Sequence, residues 1–511
     1  MRLVSVAHPF QLSIQPDGRL ETRPNTPDAI GPWELLDWVS APAPWGPAEI
    51  LWSPAHDHPA VWTGDHLVYR AGARLWSAGR YLSVQPDGRL EDRWRPGPWE
   101  EFRTVGNVAA ATPPVPLVGA LRIADGETGF VDDGGLVLPV FCHAGDLLAL
   151  YARVAQWALA ELDDIQAAGY HGVRTWTELS GEYWDPMGRS IGPGMPGYHQ
   201  AVGGFANALR VRGLRWMVSQ GWRITPAMMT DLAATLRDAG GLNVVAAVDG
   251  GNEAWHLDEN TPEHLRRCVD AFRAVLPVPI WSLTSPGGDD KAGLDRYAGS
   301  VYDLHGPRNG HWWDKIRYGF STAYETKPAR RLGIQSEPPG PNAREEGGLV
   351  SGMHNWAEMD AEMMGLLHAM HLMSRQATVY FSSPGVSVRE RGEFSRQPGF
   401  STVPALARLL PNDLMSWPTI LHGSSAGRWL SASTAADGGI VRVDQAAASD
   451  GRRMGIAYGP SGRHQIPVEG DCELSVIDPG TLTQTPLVRF QAGERLPLEF
   501  TRGRIVLGQL V

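Results

Sequence analysis

The spacing of apolar positions changes twice along the chain, and each change marks a different kind of structure. Through the first hundred or so residues, short stretches alternate apolar and polar positions, the period of strands half-buried on a sheet. Gln11-Leu12-Ser13-Ile14-Gln15-Pro16-Asp17-Gly18-Arg19-Leu20-Glu21 returns as Tyr81-Leu82-Ser83-Val84-Gln85-Pro86-Asp87-Gly88-Arg89-Leu90-Glu91. Each copy reads strand, Pro-Asp-Gly turn, strand, and each is followed by Gly-Pro-Trp-Glu, at residues 31–34 and 97–100. In such turns proline presets φ and glycine tolerates the left-handed position. Residues 60–76 are strand-like and diverged, and complete three units of roughly 35 residues. The pattern predicts a β-trefoil-like domain over residues 1–112.

After the linker Thr112-Pro113-Pro114-Val115-Pro116, strands alternate with amphipathic helices, the signature of βα units. Eight short apolar runs stand at residues 137–141, 173–176, 214–220, 244–248, 279–284, 301–305, 331–336 and 378–382. Continuous apolar runs suit strands buried on both faces of a parallel sheet. Between them, Leu147, Tyr151, Val154, Ala158, Leu162 and Ile165 form one helical stripe that Gly169 ends. Thr225-Pro226 and Thr261-Pro262 are N-caps followed by proline at the first helical position. Met359, Met363, Leu366, Leu367 and Met370 make a second stripe, read as core packing rather than a metal box. The fold class is therefore multidomain. A (β/α)8 TIM barrel at residues 113–422 follows the trefoil-like domain, and the short turn-separated strands of 423–511 form a C-terminal β-sandwich.

Composition narrows the function. The chain has 511 residues and a net charge of −11, which offers no electrostatic attraction for nucleic acid or an anionic membrane. Twenty tryptophans suit a carbohydrate protein, since aromatic faces stack on sugar rings. Cys142, Cys268 and Cys472 are too scattered for a disulfide framework or a zinc site. No signal peptide or membrane-length apolar run is evident, so the chain reads as soluble. It would be cytoplasmic, or extracellular or virion-associated by a route the sequence does not display. No phosphate loop, HExxH or EF-hand motif occurs, so no cofactor and no metal is expected. The expected partner is a carbohydrate substrate.

Catalytic groups of a barrel sit at the C-terminal ends of its strands. The fourth run leads into Asp249-Gly250-Gly251-Asn252-Glu253-Ala254-Trp255-His256, and the seventh into Gln335-Ser336-Glu337-Pro338-Pro339-Gly340. Two glutamates on strands facing across a barrel mouth suit glycosidic bond cleavage with retention, which needs carboxyls about 5–5.5 Å apart. This arrangement resembles the large clan of retaining (β/α)8 glycoside hydrolases, with Asn-Glu after strand 4 and a lone Glu after strand 7. The resemblance implies Glu253 as acid/base, Glu337 as nucleophile and Asn252 as the residue that binds the sugar 2-hydroxyl. It also implies Arg174 as the arginine ending strand 2 and His305 as the strand 6 histidine.

Arg174 would keep Glu337 ionised, while burial beside Trp255 and the charge of Glu337 would raise the pKa of Glu253. Trp222, Trp281, Trp312 and Trp313 lie near strand ends and are candidate sugar platforms. Glu178, Glu182, Asp185 and Asp249 are further acids near the mouth. The chain departs from the clan in having Ala254 where proline is usual, and Tyr380-Phe381-Ser382-Ser383 where strand 8 usually carries tryptophan. The N-terminal repeat resembles fascin-like trefoil modules, which implies sugar binding or a structural role. The alternative to an enzyme is a glycan-binding surface protein, such as a phage-associated receptor-binding component, on a barrel without turnover.

Overall fold

The computed structural model describes the strands within residues 2–105 as backbone. Beyond them it describes residues 117–511 except 118, 180–190, 222–223, 251–260, 283, 286–299, 306–331, 342–358, 383–387, 389–390, 422–427 and 435–438. The chain divides into two compact units, one made essentially of the first 115 residues and the other of the remainder.

In the first unit both copies of the repeat are antiparallel hairpins with the same register. Phe10–Ile14 pairs with Leu20–Pro24, placing Ile14 opposite Leu20. Arg80–Val84 pairs with Leu90–Arg93, placing Val84 opposite Leu90. The two copies thus share one strand register, with the same number of residues between the paired strands. A further hairpin joins Asp37–Ala43 to Gly46–Ser53. These pairings establish antiparallel sheets and do not define a threefold trefoil.

The second unit opens with a three-stranded meander, Arg122–Ile123, Phe130–Asp132 and Gly135–Val137. It lies at the N-terminal end of the barrel strands. There Arg215, the first residue of the third strand, donates to Gly119 O and to Asp132 Oδ2, both at 3.0 Å. The barrel strands are β1 (Val140–His143), β2 (Gly172–Trp176), β3 (Arg215–Ser219), β4 (Val245–Asp249), β5 (Trp281–Ser282 and Thr284–Ser285), β6 (Tyr302–His305), β7 (Gly333–Glu337) and β8 (Gln376–Tyr380). All pairings among them are parallel. The two pieces of β5 are the two edges of this sheet, one paired with β4 and the other with β6. Successive pieces of one strand therefore bring the sheet round to meet itself. Every expected strand appears. The first begins later than expected because Val137 pairs within the meander.

Helices α1 (Leu147–Ala168), α2 (Tyr198–Arg210), α3 (Pro226–Asp238), α4 (Pro262–Val275) and α5 (Ala361–Met373) follow β1, β2, β3, β4 and β7. Thr225 and Thr261 accept at Oγ1 from the backbone N–H of Met228 and His264, both at 3.2 Å, with proline next in line as the sequence requires. Gly169 ends α1 with φ 95°, a left-handed cap that suits glycine. One member of the expected α1 stripe departs from it. Val154 has φ −141° and ψ 67°, which breaks the helical period there and leaves the side chain 38% exposed.

Helix α5 is buried on all sides, and Met359, Met363 and Met370 are core residues. Its second covering is the C-terminal domain. Gly365 lets the backbone of Pro479 approach so closely that a Cβ there would lie 2.7 Å from Pro479 O. That domain pairs its strands antiparallel in two sheets that share one core, including Trp429, Val443, Leu474, Leu498, Phe500 and Val506. Its first strand, Thr419–Leu421, pairs with Ile440–Ala447. Among the described residues no helix is long and apolar enough to cross a membrane.

Candidate active site

The ends of the barrel strands converge on Arg174. Parity along β2 turns Arg174 into the barrel, as it turns Ser219, Asp249, His305 and Glu337 inward from their own strands. The guanidinium then distributes its terminal N–H groups over four strands. Nη1 donates to Glu337 Oε1 at 2.8 Å and lies 3.1 Å from His143 Nδ1. Nη2 donates to Ser219 Oγ at 3.3 Å and to Asp249 Oδ2 at 3.5 Å. Ser219 in turn donates to Asp249 Oδ2 at 2.8 Å.

Because a guanidinium only donates, His143 Nδ1 must accept, so His143 is a neutral imidazole with its proton on Nε2. His305 places Nδ1 3.5 Å from Glu337 Oε2. The Arg174 and Glu337 side chains are 0% and 7% exposed, so their pairing is made out of water and is strongly charge-assisted. Burial works against the charge on Arg174. Glu337 first, then Asp249 and Asp303, outweigh it and hold the arginine above its ordinary value.

Asp303 stands two residues before His305 on β6 and accepts from Ser282 Oγ at 3.0 Å. Burial, then the charge of Asp249, pushes its carboxyl up to about 7, against the opposing pull of Arg174, His305 and Ser336.

Of the residues singled out from the sequence, Arg174, His305, Glu337 and the further acid Asp249 are thus brought together. Trp281 is placed elsewhere. It is buried with the Arg273 guanidinium of α4 5.8 Å from its ring centroid, so it faces the helix layer, while its neighbour Ser282 faces the interior. Glu178 lies beyond β2, beside Gly192 and Gly221. Asn252, Glu253, Trp255, Trp222, Trp312, Trp313, Glu182 and Asp185 lie outside the described residues.

Sequence reasoning passed over His143, Ser219, Ser282 and Asp303. The signal was present in the two-residue period, since Asp303 shares a strand face with His305. It also passed over Phe381. Phe381, just after β8, sets its ring 4.7 Å from that of His143, and Trp176 meets His143 edge-on at 5.4 Å. Gly340 makes this packing feasible. Its backbone runs so close to Phe381 that a Cβ would fall 1.7 Å from Phe381 O. The segment after β8 is tied down by two buried acids, with Asp146 Oδ2 accepting from Val388 N at 3.0 Å and Glu161 Oε1 from Gly392 N at 2.7 Å. Among the described residues no cluster of three His, Cys, Asp or Glu side chains is placed to hold a metal.

The architecture is shared with glycoside hydrolases of solved structure. One, named simply a glycoside hydrolase, superposes with a TM-score of 0.55 over 77% of this chain and 97% of its own, at 9% identity. A second, a Bacteroides vulgatus ATCC 8482 protein provisionally named a glycoside hydrolase, gives 0.53 over 100% of this chain and 95% of its own, at 11% identity. At such identity the likeness is one of fold alone. No family model and no curated protein matches the sequence.

Proposed function

We propose that this chain is a retaining glycoside hydrolase acting on an oligo- or polysaccharide. One observation carries the reading. A carboxylate at the end of β7 is held in a buried charge-assisted bond by an arginine on β2, with a histidine from β6 on its other oxygen. The arginine stabilises the ionised form of Glu337, which a nucleophile requires, and fixes the direction of one of its oxygens. The shared fold with glycoside hydrolases supports the same substrate class.

In this reading a lone pair of Glu337 forms a bond to the anomeric carbon as the glycosidic C–O bond breaks. Glu253 gives its proton to the departing oxygen. The glycosyl ester leaves Glu337 without charge, so Glu253, now a carboxylate, takes a proton from water as that water displaces Glu337. Asn252 binds the 2-hydroxyl, and Trp255 packs beside the acid. The expected Glu253–Glu337 separation is about 5 Å, which excludes a water between base and sugar. The N-terminal hairpins are read as a trefoil-like module that brings the barrel to glycan.

Hydrolysis of a panel of aryl glycosides and bacterial polysaccharides tests the activity, with NMR of the first-formed product. The substrate's own anomer is expected. An inverted product refutes the double displacement. Binding of a glycan with no turnover across the panel favours a glycan-binding surface protein instead.

A further inference from the structure

Among the described residues, the interior beneath Glu337 gathers three carboxyls around one guanidinium, and their surroundings differ. Among the described residues, Arg174 is the guanidinium that Glu337, Asp249 and Asp303 act on. His143 adds no charge, because its Nδ1 accepts from Arg174. Glu337 has the guanidinium at 2.8 Å. Asp249 has the Ser219 hydroxyl at 2.8 Å and the guanidinium at 3.5 Å. Asp303 is fully buried, accepts at Oδ2 from the Ser282 hydroxyl, and has no cation in ion-pair contact among the described residues. An unpaired buried carboxylate is the costliest of the three to ionise.

We propose that Asp303 is a positioning residue that carries a proton in the state in which the site works, so that Arg174 is divided between Glu337 and Asp249 rather than among three anions. The proposal rests on the reading of Glu337 as nucleophile. While Asp303 is neutral, Nη1 of Arg174 stays on Glu337 Oε1. When Asp303 loses its proton it becomes a third anion on the same guanidinium, and the hold on Glu337 slackens. The groups that face Asp303 set where this happens. They are Arg174 from β2, Asp249 from β4, Ser282 from β5, His305 on its own strand and Ser336 from β7. Together with burial they put the change near neutrality.

The sign for stability follows. A folded value raised above the unfolded one stabilises fully below about pH 4 and loses that contribution as pH rises through the folded value.

Infrared difference spectra of the full chain, labelled with carboxyl-13C aspartate, test the proton directly between about pH 5 and about pH 9. A neutral aspartic acid band is expected to vanish with a midpoint near neutrality, and to be missing in Asp303→Asn. On a hydrolysed aryl glycoside, the wild type should lose about tenfold in rate across the same midpoint, and Asp303→Asn should lose that step. Disappearance of all aspartic acid bands by about pH 5 overturns the proposal, as does an unchanged alkaline step in Asp303→Asn. Should Asp303→Asn fail to fold, Ser282→Ala takes its place. Removing a donor to the ionised form must raise the midpoint, and an unmoved midpoint overturns the assignment. Absence of any glycoside turnover would sink the proposed function while the infrared band still decides where the proton sits.

Discussion

Two arginine networks in this molecule use the same chemistry to opposite ends. At the seam between α5 and the C-terminal domain, Glu362 Oε1 accepts from Arg502 N at 2.9 Å, Gly503 N at 3.0 Å and Arg504 Nη1 at 2.8 Å. Arg504 also pairs with Asp478 at 2.8 Å, and Asp478 holds its own turn by accepting from Gly480 N at 2.9 Å and Thr481 N at 3.0 Å. Arg502 pairs with Asp360, the residue that caps α5. Two arginines meet three acids there, backbone donors supply much of the remaining balance, and water reaches the edges. At the barrel mouth, among the described residues, one arginine meets three carboxyls in a buried interior, and one of them, as proposed above, carries a proton. The seam is satisfied and joins two domains. The described part of the mouth leaves its carboxyls sharing one guanidinium, which suits the proposed alternation between charged and neutral states.

The contrast is broken most sharply at Glu337. Glu337→Gln keeps the shape and removes the charge that Arg174 holds, so kcat should fall by about 10⁴-fold or more. Glu337→Ala should regain turnover with azide and give an inverted product, read by NMR. Retention of full rate by both variants places the chemistry elsewhere. Next in size is Arg174→Gln. It removes the guanidinium from the buried Glu337 and Asp249, and breaking a buried pair costs about 3–5 kcal/mol. Urea unfolding should register that loss together with a collapse of activity. A stability change below about 1 kcal/mol, as for a surface pair, would mean that the carboxyls are not dry.

The barrel was legible because its strands are short apolar runs and its helices carry their own stop and start signals, as at Gly169 and Thr261. The nucleophile candidate and its arginine were legible because strand ends of a barrel are where side chains converge. Three things were not. The outward turn of Trp281 depends on which residue of β5 faces in, and a two-residue strand piece carries no visible alternation. Asp303 stands two residues before His305, yet a buried acid and a surface acid read alike in sequence. The tilt of Val154 out of its stripe is a backbone break without Gly or Pro to announce it. The Asn252-Glu253 half of the expected pair lies outside the described residues, so that part of the reading stands on sequence.

Acid should weaken the barrel well before it protonates ordinary surface carboxylates. His171, His368 and His371 are buried and held below the usual histidine range, His171 at about 4 and His368 at about 3, with burial the first cause of each. Both His368 and His371 share Thr378 Oγ1, at 2.6 and 2.9 Å. A folded value below the unfolded one means that the unfolded chain binds protons the native state refuses. Stability is therefore intact above about pH 6.5 and falls as pH drops toward the folded values, by up to about 4 kcal/mol per unit for three histidines. Thermal melts between about pH 7 and about pH 5 should show this fall, and His371→Gln should flatten it. A melting temperature unchanged across that range would contradict the burial of these rings.

The smallest effect belongs to the seam. Arg504→Ala removes one donor from Glu362 and the ion partner of Asp478, but both acids keep backbone N–H donors, from Arg502 and Gly503 in one case and Gly480 and Thr481 in the other. Neither is left as an unpaired buried charge, and the arginine is 16% exposed, so the loss should be about 1–2 kcal/mol and partly screened by salt. Activity at the far end of β7 should not change, because the seam is already balanced without that side chain. Gly365→Ala probes the same seam by shape, since its Cβ would meet Pro479 O at 2.7 Å and force α5 and the turn apart. If Arg504→Ala costs as much as Arg174→Gln in the same urea series, the seam is as dry as the mouth, and the distinction between a joining network and one whose carboxyls share a guanidinium does not hold.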